Sequence, residues 1–136
     1  MSNILRSFSS LYFATLLMVL ASGVLTTYLG LRLAADSAAQ IWIGGMMSAY
    51  YLGLVAGSKI GHRLIARVGH IRAFVASAGI TTASALGHAL IDDLAVWLVL
   101  RLMVGMGMMC MYMVLESWLN EQADSKNRGT VFASYM

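Results

Sequence analysis

The chain has 136 residues, of which 60% are hydrophobic and only 11% are charged. A soluble domain usually carries about 25% charged and about 45–50% apolar residues, so this composition excludes an ordinary soluble domain and indicates a membrane protein. The formal net charge of +3 is modest. Because the basic residues flank apolar segments, membrane topology explains them better than nucleic-acid binding does.

Four segments are long and apolar enough to cross a bilayer, which requires about 20 residues. In lipid the backbone must satisfy its own hydrogen bonds, so each segment is predicted to be a helix. The predicted helices run from about Phe8 to Leu31, Gln40 to Ile60, Ile71 to Ile91 and Leu94 to Leu119. The predicted connections are Arg32–Ala39, Gly61–His70, Asp92-Asp93 and Asn120–Arg128.

A fifth apolar run begins at about Gly129 and stops at Met136, too short to span a membrane. We therefore expect the chain to be the beginning of a longer protein. The predicted fold class is an all-α, polytopic membrane helix bundle, with four transmembrane helices and the start of a fifth.

The basic residues predict the orientation of the bundle. With the N-terminus in the cytoplasm, seven of the nine Lys and Arg residues fall on the inner side, while Arg32 is outside and Arg101 lies within the fourth helix. No acid occurs between Ser37 and Ile91, so the segment from Gly57 to Arg72 is purely basic. The positive-inside rule therefore predicts that this segment faces the cytoplasm, in the inner (plasma) membrane.

The second helix carries glycines at Gly53, Gly57 and Gly61, which share one face. Small residues at this spacing allow another helix to approach closely. Two compatible interpretations remain open, namely ordinary tight packing and a surface along which a moving helix slides.

Arg101 lies about two turns into the fourth helix. A guanidinium at the centre of a membrane helix costs at least about 2.5–3.5 kcal/mol, and it stays charged. Arg101 must therefore face a water-filled cavity, a carboxylate or backbone carbonyls, unless it reaches the outer headgroups. Both Arg101 and Glu116 are candidates for transport or proton coupling.

Glu116 is the only acid well inside a predicted span. It lies fifteen residues from Arg101, about 22 Å along a helix axis, so the two cannot pair within one helix. We expect either an interfacial ion pair with Arg67, Arg72 or another basic residue at the inner end, or a titrating carboxylate that belongs to a gate.

Other chemistry receives little support from the sequence. The methionines of the fourth helix could line an adaptable pocket or simply pack against neighbours. His88, near the end of the third helix, could bind a proton or be an ordinary packed residue. We find no catalytic constellation, metal-ligand spacing or cofactor motif, and predict neither an enzyme nor a metal or cofactor site.

Two motifs resemble those of the major facilitator superfamily of transporters. The family pattern Gly-x-Leu-x-Asp-Arg-x-Gly-Arg-Arg/Lys is similar to the stretch His62–Arg72, where Leu64, Arg67 and Gly69 match and the leading glycine is displaced to Gly61. The fourth-helix pattern Arg-x-x-x-Gly-x-Gly is matched by Arg101, Gly105 and Gly107. The resemblance covers the whole chain and about a third of a twelve-helix transporter, within its N-terminal six-helix half.

The resemblance implies a secondary transporter that works by alternating access, with a bacterial efflux-like branch as the nearest likeness. It implies the lipid bilayer, an unknown small-molecule substrate, protons and the remaining helices of the transporter as partners. It also implies a cytoplasmic gating loop, whose candidate residues here are Gly61, Arg63, Leu64, Arg67, Gly69 and Arg72.

One departure from the family pattern affects this gate. Ala66 stands where the family has an acid that helps to lock one state of the transporter. We therefore hypothesise that Arg67, Arg72 or Glu116 carries an altered lock.

An alternative function is a self-contained four-helix membrane protein that dimerises through its glycine face, as a small exporter or a structural subunit. The first helix contains no acid, whereas small exporters typically use one there.

Overall fold

A computed structural model describes residue 6 and residues 9–122 and 128–136 of the chain. Its helices are α1 (Ser9–Ala35), α2 (Gln40–Val68), α3 (His70–Leu90), α4 (Leu94–Gln122) and the short α5 (Arg128–Tyr135). The described residues contain no strand, which confirms the predicted all-α class.

The largest difference from the prediction concerns the second helix. We predicted a connection over Gly61–His70, but α2 continues to Val68 and only Gly69 separates it from α3. The sequence there contains no proline, and Gly61 is buried against α4 instead of ending the helix. The basic segment is therefore mostly helical. Gly69 makes the turn at φ 84°, a backbone conformation that glycine adopts without a steric penalty.

The other helix boundaries agree with the prediction to within a few residues. α1 and α4 both run past the predicted ends, to Ala35 and Gln122. The start of α4 is fixed by Asp93, whose Oδ1 accepts hydrogen bonds from the backbone N–H groups of Ala95 and Val96. An aspartate immediately before the first helical residue satisfies donors that would otherwise lack a partner.

The helix α4 is the centre of the bundle. α2 runs parallel to it, since Gly45 faces Leu98 near one end and Gly61 faces Met113 near the other. α3 runs antiparallel to it, since Gly87 faces Leu100 whereas His70 contacts Ser117.

The core fills the space between α4 and its neighbours. Its largest cluster joins side chains of α1 and α4, namely Leu11, Met18, Val104, Met108, Met111, Leu115 and Leu119.

We call the end of the bundle that carries Asp36, Asp92 and Asp93 the acidic end, and the end that carries Arg63, Arg67 and Arg72 the basic end. α1, α3 and α4 are each long and apolar enough to cross a membrane. We predicted a fourth such helix over Gln40–Ile60, but α2 does not qualify, because glycines and polar residues interrupt its apolar run. Its contacts with α4 nevertheless extend from Leu98 to Met113, so α2 lies alongside most of that helix.

Candidate functional site

Arg101 lies at the junction of three helices. Only 2% of its surface is exposed. Its Nη2 donates a hydrogen bond of 2.5 Å to Oγ1 of Thr26 on α1. Its Cζ lies 4.6 Å from the centroid of the Tyr50 ring on α2, a cation–π geometry. The Arg101 guanidinium on α4 therefore contacts both α1 and α2 in the interior of the bundle and does not extend to the surface.

The second terminal nitrogen of Arg101 has no such contact. Nη1 is buried and has no hydrogen-bond partner among the described residues, and none of their carboxylates forms an ion pair with Arg101. A cavity of about 10 Å³ adjoins the guanidinium, bordered by Thr26 and by apolar side chains of α1 and α2. That volume is close to the space of a single water molecule. A buried charge with a free donor is costly, so the site has the chemistry to attract an acceptor or an anion.

The two glycines of the Arg101 motif allow neighbouring helices to approach. A Cβ on Gly105 would overlap the carbonyl oxygen of Tyr50 on α2. A Cβ on Gly107 would overlap Oγ1 of Thr81 and lie 3.0 Å from the carbonyl oxygen of Ser77, both on α3. These glycines thus set the distance of both neighbouring helices from α4, close to Arg101.

The glycine face of α2 packs against the same helix. A Cβ on Gly53 would overlap the carbonyl oxygen of Leu102, and one on Gly57 would lie 2.7 Å from the carbonyl oxygen of Met106. Gly61 faces the Met113 side chain, with a Cβ-to-sulfur distance of 2.8 Å. Because α4 covers this face, it is not exposed for the dimerisation that the alternative function requires.

The structure distributes the candidate gating residues along the basic end. Arg63, Arg67 and Arg72 are exposed, Leu64 is half-buried, and Gly61 is buried. Glu116 is exposed and forms no ion pair with Arg67 or Arg72, the two partners that we expected for it by name. Lys126, another basic residue at this end, lies outside the described residues.

A different contact forms at the basic end, and the sequence analysis missed it. Nε2 of His70 lies 2.9 Å from Oγ of Ser117 and 3.6 Å from Oε1 of Glu121, both on α4. The contact lies beside an apolar groove of about 230 Å³ between α1, α3 and α4. Ser117 and Glu121 are four residues apart on one helix face, a spacing visible in the sequence, but nothing there identifies His70 as their partner.

A polar cluster at the acidic end was also missed. The Arg32 guanidinium forms an ion pair with Asp92, and its Cζ lies 4.9 Å from the Trp97 ring centroid. Arg32 also donates to the Tyr28 hydroxyl over 3.3 Å and to the His88 carbonyl over 3.4 Å. The four-residue spacing from Tyr28 to Arg32 to Asp36 is the part of this cluster that the sequence could have indicated.

Metal chemistry receives no support from the described residues. They contain no group of three or more His, Cys, Asp or Glu side chains that could hold a metal ion.

Comparison with known proteins adds independent information about the chain. Residues 7–135 match the family described as "Sugar (and other) transporter". The chain is 32% identical, over all 136 residues, to the "Uncharacterized MFS-type transporter YcaD" of Shigella flexneri serotype 5b (strain 8401). It has the same identity to the protein of that name from Escherichia coli O139:H28 (strain E24377A / ETEC). The chain spans 36% of the length of these relatives. No solved structure matches it.

Proposed function

The chain belongs to the sugar (and other) transporter family, within the major facilitator superfamily, and from this we propose that it is part of a secondary transporter that moves a small molecule by alternating access. In this proposal the transport is proton-coupled efflux across the inner (plasma) membrane. The remaining two thirds of the length of the relatives would supply the other helices that enclose the substrate. Substrate sites of such transporters lie near the bilayer midplane between repeated halves.

The observation that carries the proposal is the buried guanidinium of Arg101, whose Nη1 has no hydrogen-bond partner in the described part of the chain. Intramembrane ionisable residues are costly, and they characteristically mark substrate or ion pathways. Thr26 and Tyr50 hold the side chain in place from two other helices. The free nitrogen can then contact a substrate, or a carboxylate supplied by another part of the transporter.

Transport by the whole protein tests this assignment. Proteoliposomes that contain a pH-sensitive dye are exposed to gradients of two probes, methyl glucoside as a sugar and ethidium as a cationic efflux substrate. We expect one probe to drive a change of lumenal pH, and Arg101→Ala to abolish that change. Arg101→Lys is the matched control, since it keeps the charge but loses the forked geometry. Equal proton flux in the wild type and Arg101→Ala would refute a role for Arg101. If neither probe produced any proton flux in the wild type, that result would count against proton-coupled transport.

We further propose that the basic end faces the cytoplasm and contributes to gating. Positive-inside bias supports the orientation, since Lys59, Arg63, Arg67 and Arg72 all lie in one short segment. The exposure of Arg63, Arg67 and Arg72 leaves them accessible to groups outside the described residues.

A further inference from the structure

A second buried polar group lies near Arg101, at the acidic end of α3. His88 is 1% exposed, and its ring packs edge-on against Trp97 at a centroid distance of 5.6 Å. Trp97 precedes Arg101 by four residues, so both lie on one face of α4. His88 therefore packs against the face of α4 that carries Arg101, displaced from Arg101 toward the acidic end.

The hydrogen bonds of His88 determine which ring nitrogen carries the proton. Nδ1 lies 2.8 Å from the carbonyl oxygen of Ser84, which can only accept a hydrogen bond. Nδ1 must therefore be the protonated nitrogen of the neutral ring. Nε2 then presents a lone pair, and this atom is buried with no hydrogen-bond partner among the described residues.

The charged groups around His88 come from each neighbouring element. α4 contributes Arg101, while α1 contributes Arg32, whose Nη1 donates to the His88 carbonyl oxygen. The charge of Arg32 is offset by its ion pair with Asp92, in the connection that follows α3. Tyr28 is hydrogen-bonded to Arg32 on the same side. Among the described residues no carboxylate offsets the charge of Arg101, so this charge opposes a second positive charge on His88.

We propose that Nε2 of His88 is a proton-binding site whose occupancy is coupled to the charge of Arg101. The link to transport rests on the function proposed above, whereas proton binding itself is a property of this chain. A proton on His88 places two positive charges near each other in the interior of the bundle. This favours states in which a carboxylate approaches Nη1 of Arg101, which no described residue contacts by a hydrogen bond. A proton on His88 and an acidic group near Arg101 would then bind together.

The test is nitrogen NMR of the chain in lipid nanodiscs, with ¹⁵N-labelled histidine. His88→Gln identifies the His88 signals by their loss, and the exposed His62 serves as an internal control. We expect a neutral tautomer at high pH with an unprotonated Nε2. Lowering the pH should then protonate that nitrogen.

Arg101→Gln tests the coupling. Two charges roughly 10 Å apart, at an effective dielectric constant of about 20, change a protonation ratio by on the order of tenfold. At a fixed pH we therefore expect a rise of about tenfold in the ratio of protonated to neutral His88. Arg101→Lys keeps the charge and should retain the wild-type ratio. If neither Arg101 variant folds, the tautomer of His88 and its proton uptake in the wild type still test whether Nε2 is a proton-binding site.

Three results would overturn the proposal. The first is a neutral His88 ring with its proton on Nε2. The second is a His88 ring that stays neutral over the whole titration. The third is the same ratio of protonated to neutral His88 in Arg101→Gln as in the wild type. Each is read without any transport measurement. Failure of the proton site is thereby distinguished from failure of the transporter assignment.

Discussion

The glycine face of α2 yields a graded prediction about stability. A methyl group at Gly57 would lie 2.7 Å from the carbonyl oxygen of Met106 and 3.0 Å from the Met106 Cα, both backbone atoms that no rotamer change can move. Relieving the contact requires α2 and α4 to separate by roughly 0.5 Å, and such overpacking typically costs about 1–3 kcal/mol. We expect Gly57→Ala to destabilise the chain by about that amount.

Other glycines of the same helix complete the series. Gly53→Ala should cost more than Gly57→Ala, because its methyl group would overlap the Leu102 carbonyl oxygen. Gly61→Ala should cost less, because its nearest neighbour is the flexible end of the Met113 side chain. Gly44→Ala is the matched control. Outside its own stretch of helix, no atom of the described residues lies within 4 Å of the added carbon, so helix propensity alone should stabilise this variant, by up to about 1 kcal/mol.

The assay is thermal unfolding in lipid nanodiscs, followed by circular dichroism, with all four variants prepared identically. The predicted order of stability is Gly44→Ala, wild type, Gly61→Ala, Gly57→Ala and then Gly53→Ala. Equal stability of Gly53→Ala and Gly44→Ala would refute the close contact of α2 with α4. Combining Gly53→Ala with Gly105→Ala should cost less than the sum of the two changes, because both separate the helices at one crossing point.

Three further predictions concern the two ends of the bundle. Arg32→Gln should lower the thermal midpoint of the chain, because it removes the guanidinium that links α1 to Asp92; an unchanged midpoint would mean that this cluster adds no stability. His70→Ala should destabilise the chain by about 1 kcal/mol through loss of a hydrogen bond, whereas Arg67→Ala, at an exposed position, should leave unfolding unchanged. In intact cells an impermeant maleimide should label Asp92→Cys but not Ala66→Cys, and the reverse pattern would overturn the proposed orientation.

Much of the fold could be predicted because it depends on local properties of the sequence. The apolar runs determine that α1, α3 and α4 exist, and their ends follow from polar residues such as Asp93. The end of α2 could not be predicted in this way. Residues 61–68 are charged enough to resemble a loop, but nothing in their sequence breaks a helix, and contact of Gly61 with α4 continues the packing.

The candidate site could be predicted only in part, because the sequence reveals local properties but not which distant residues pack together. A charge inside an apolar run identifies Arg101 from the sequence alone. Its partners Thr26 and Tyr50 lie 75 and 51 residues away along the chain, and only the packing of three helices brings them together. His88 differs again, since a histidine near a helix end is compatible with exposure or burial, and its contact with Trp97 decides between them.

The basic end shows what an altered lock would require. The family resemblance implies an acid at position 66, and Ala66 is an exposed residue of α2 that cannot supply its charge. The contact that does form there joins His70 to Ser117, and therefore fixes α3 to α4 of the same chain. Such a contact stabilises this bundle but does not by itself hold it against another half of a transporter. A lock at this end therefore needs a partner outside the described residues, acting on exposed groups such as Arg67 or Arg72. For this reason Arg67→Ala should alter transport by the whole protein while leaving the stability of this chain unchanged.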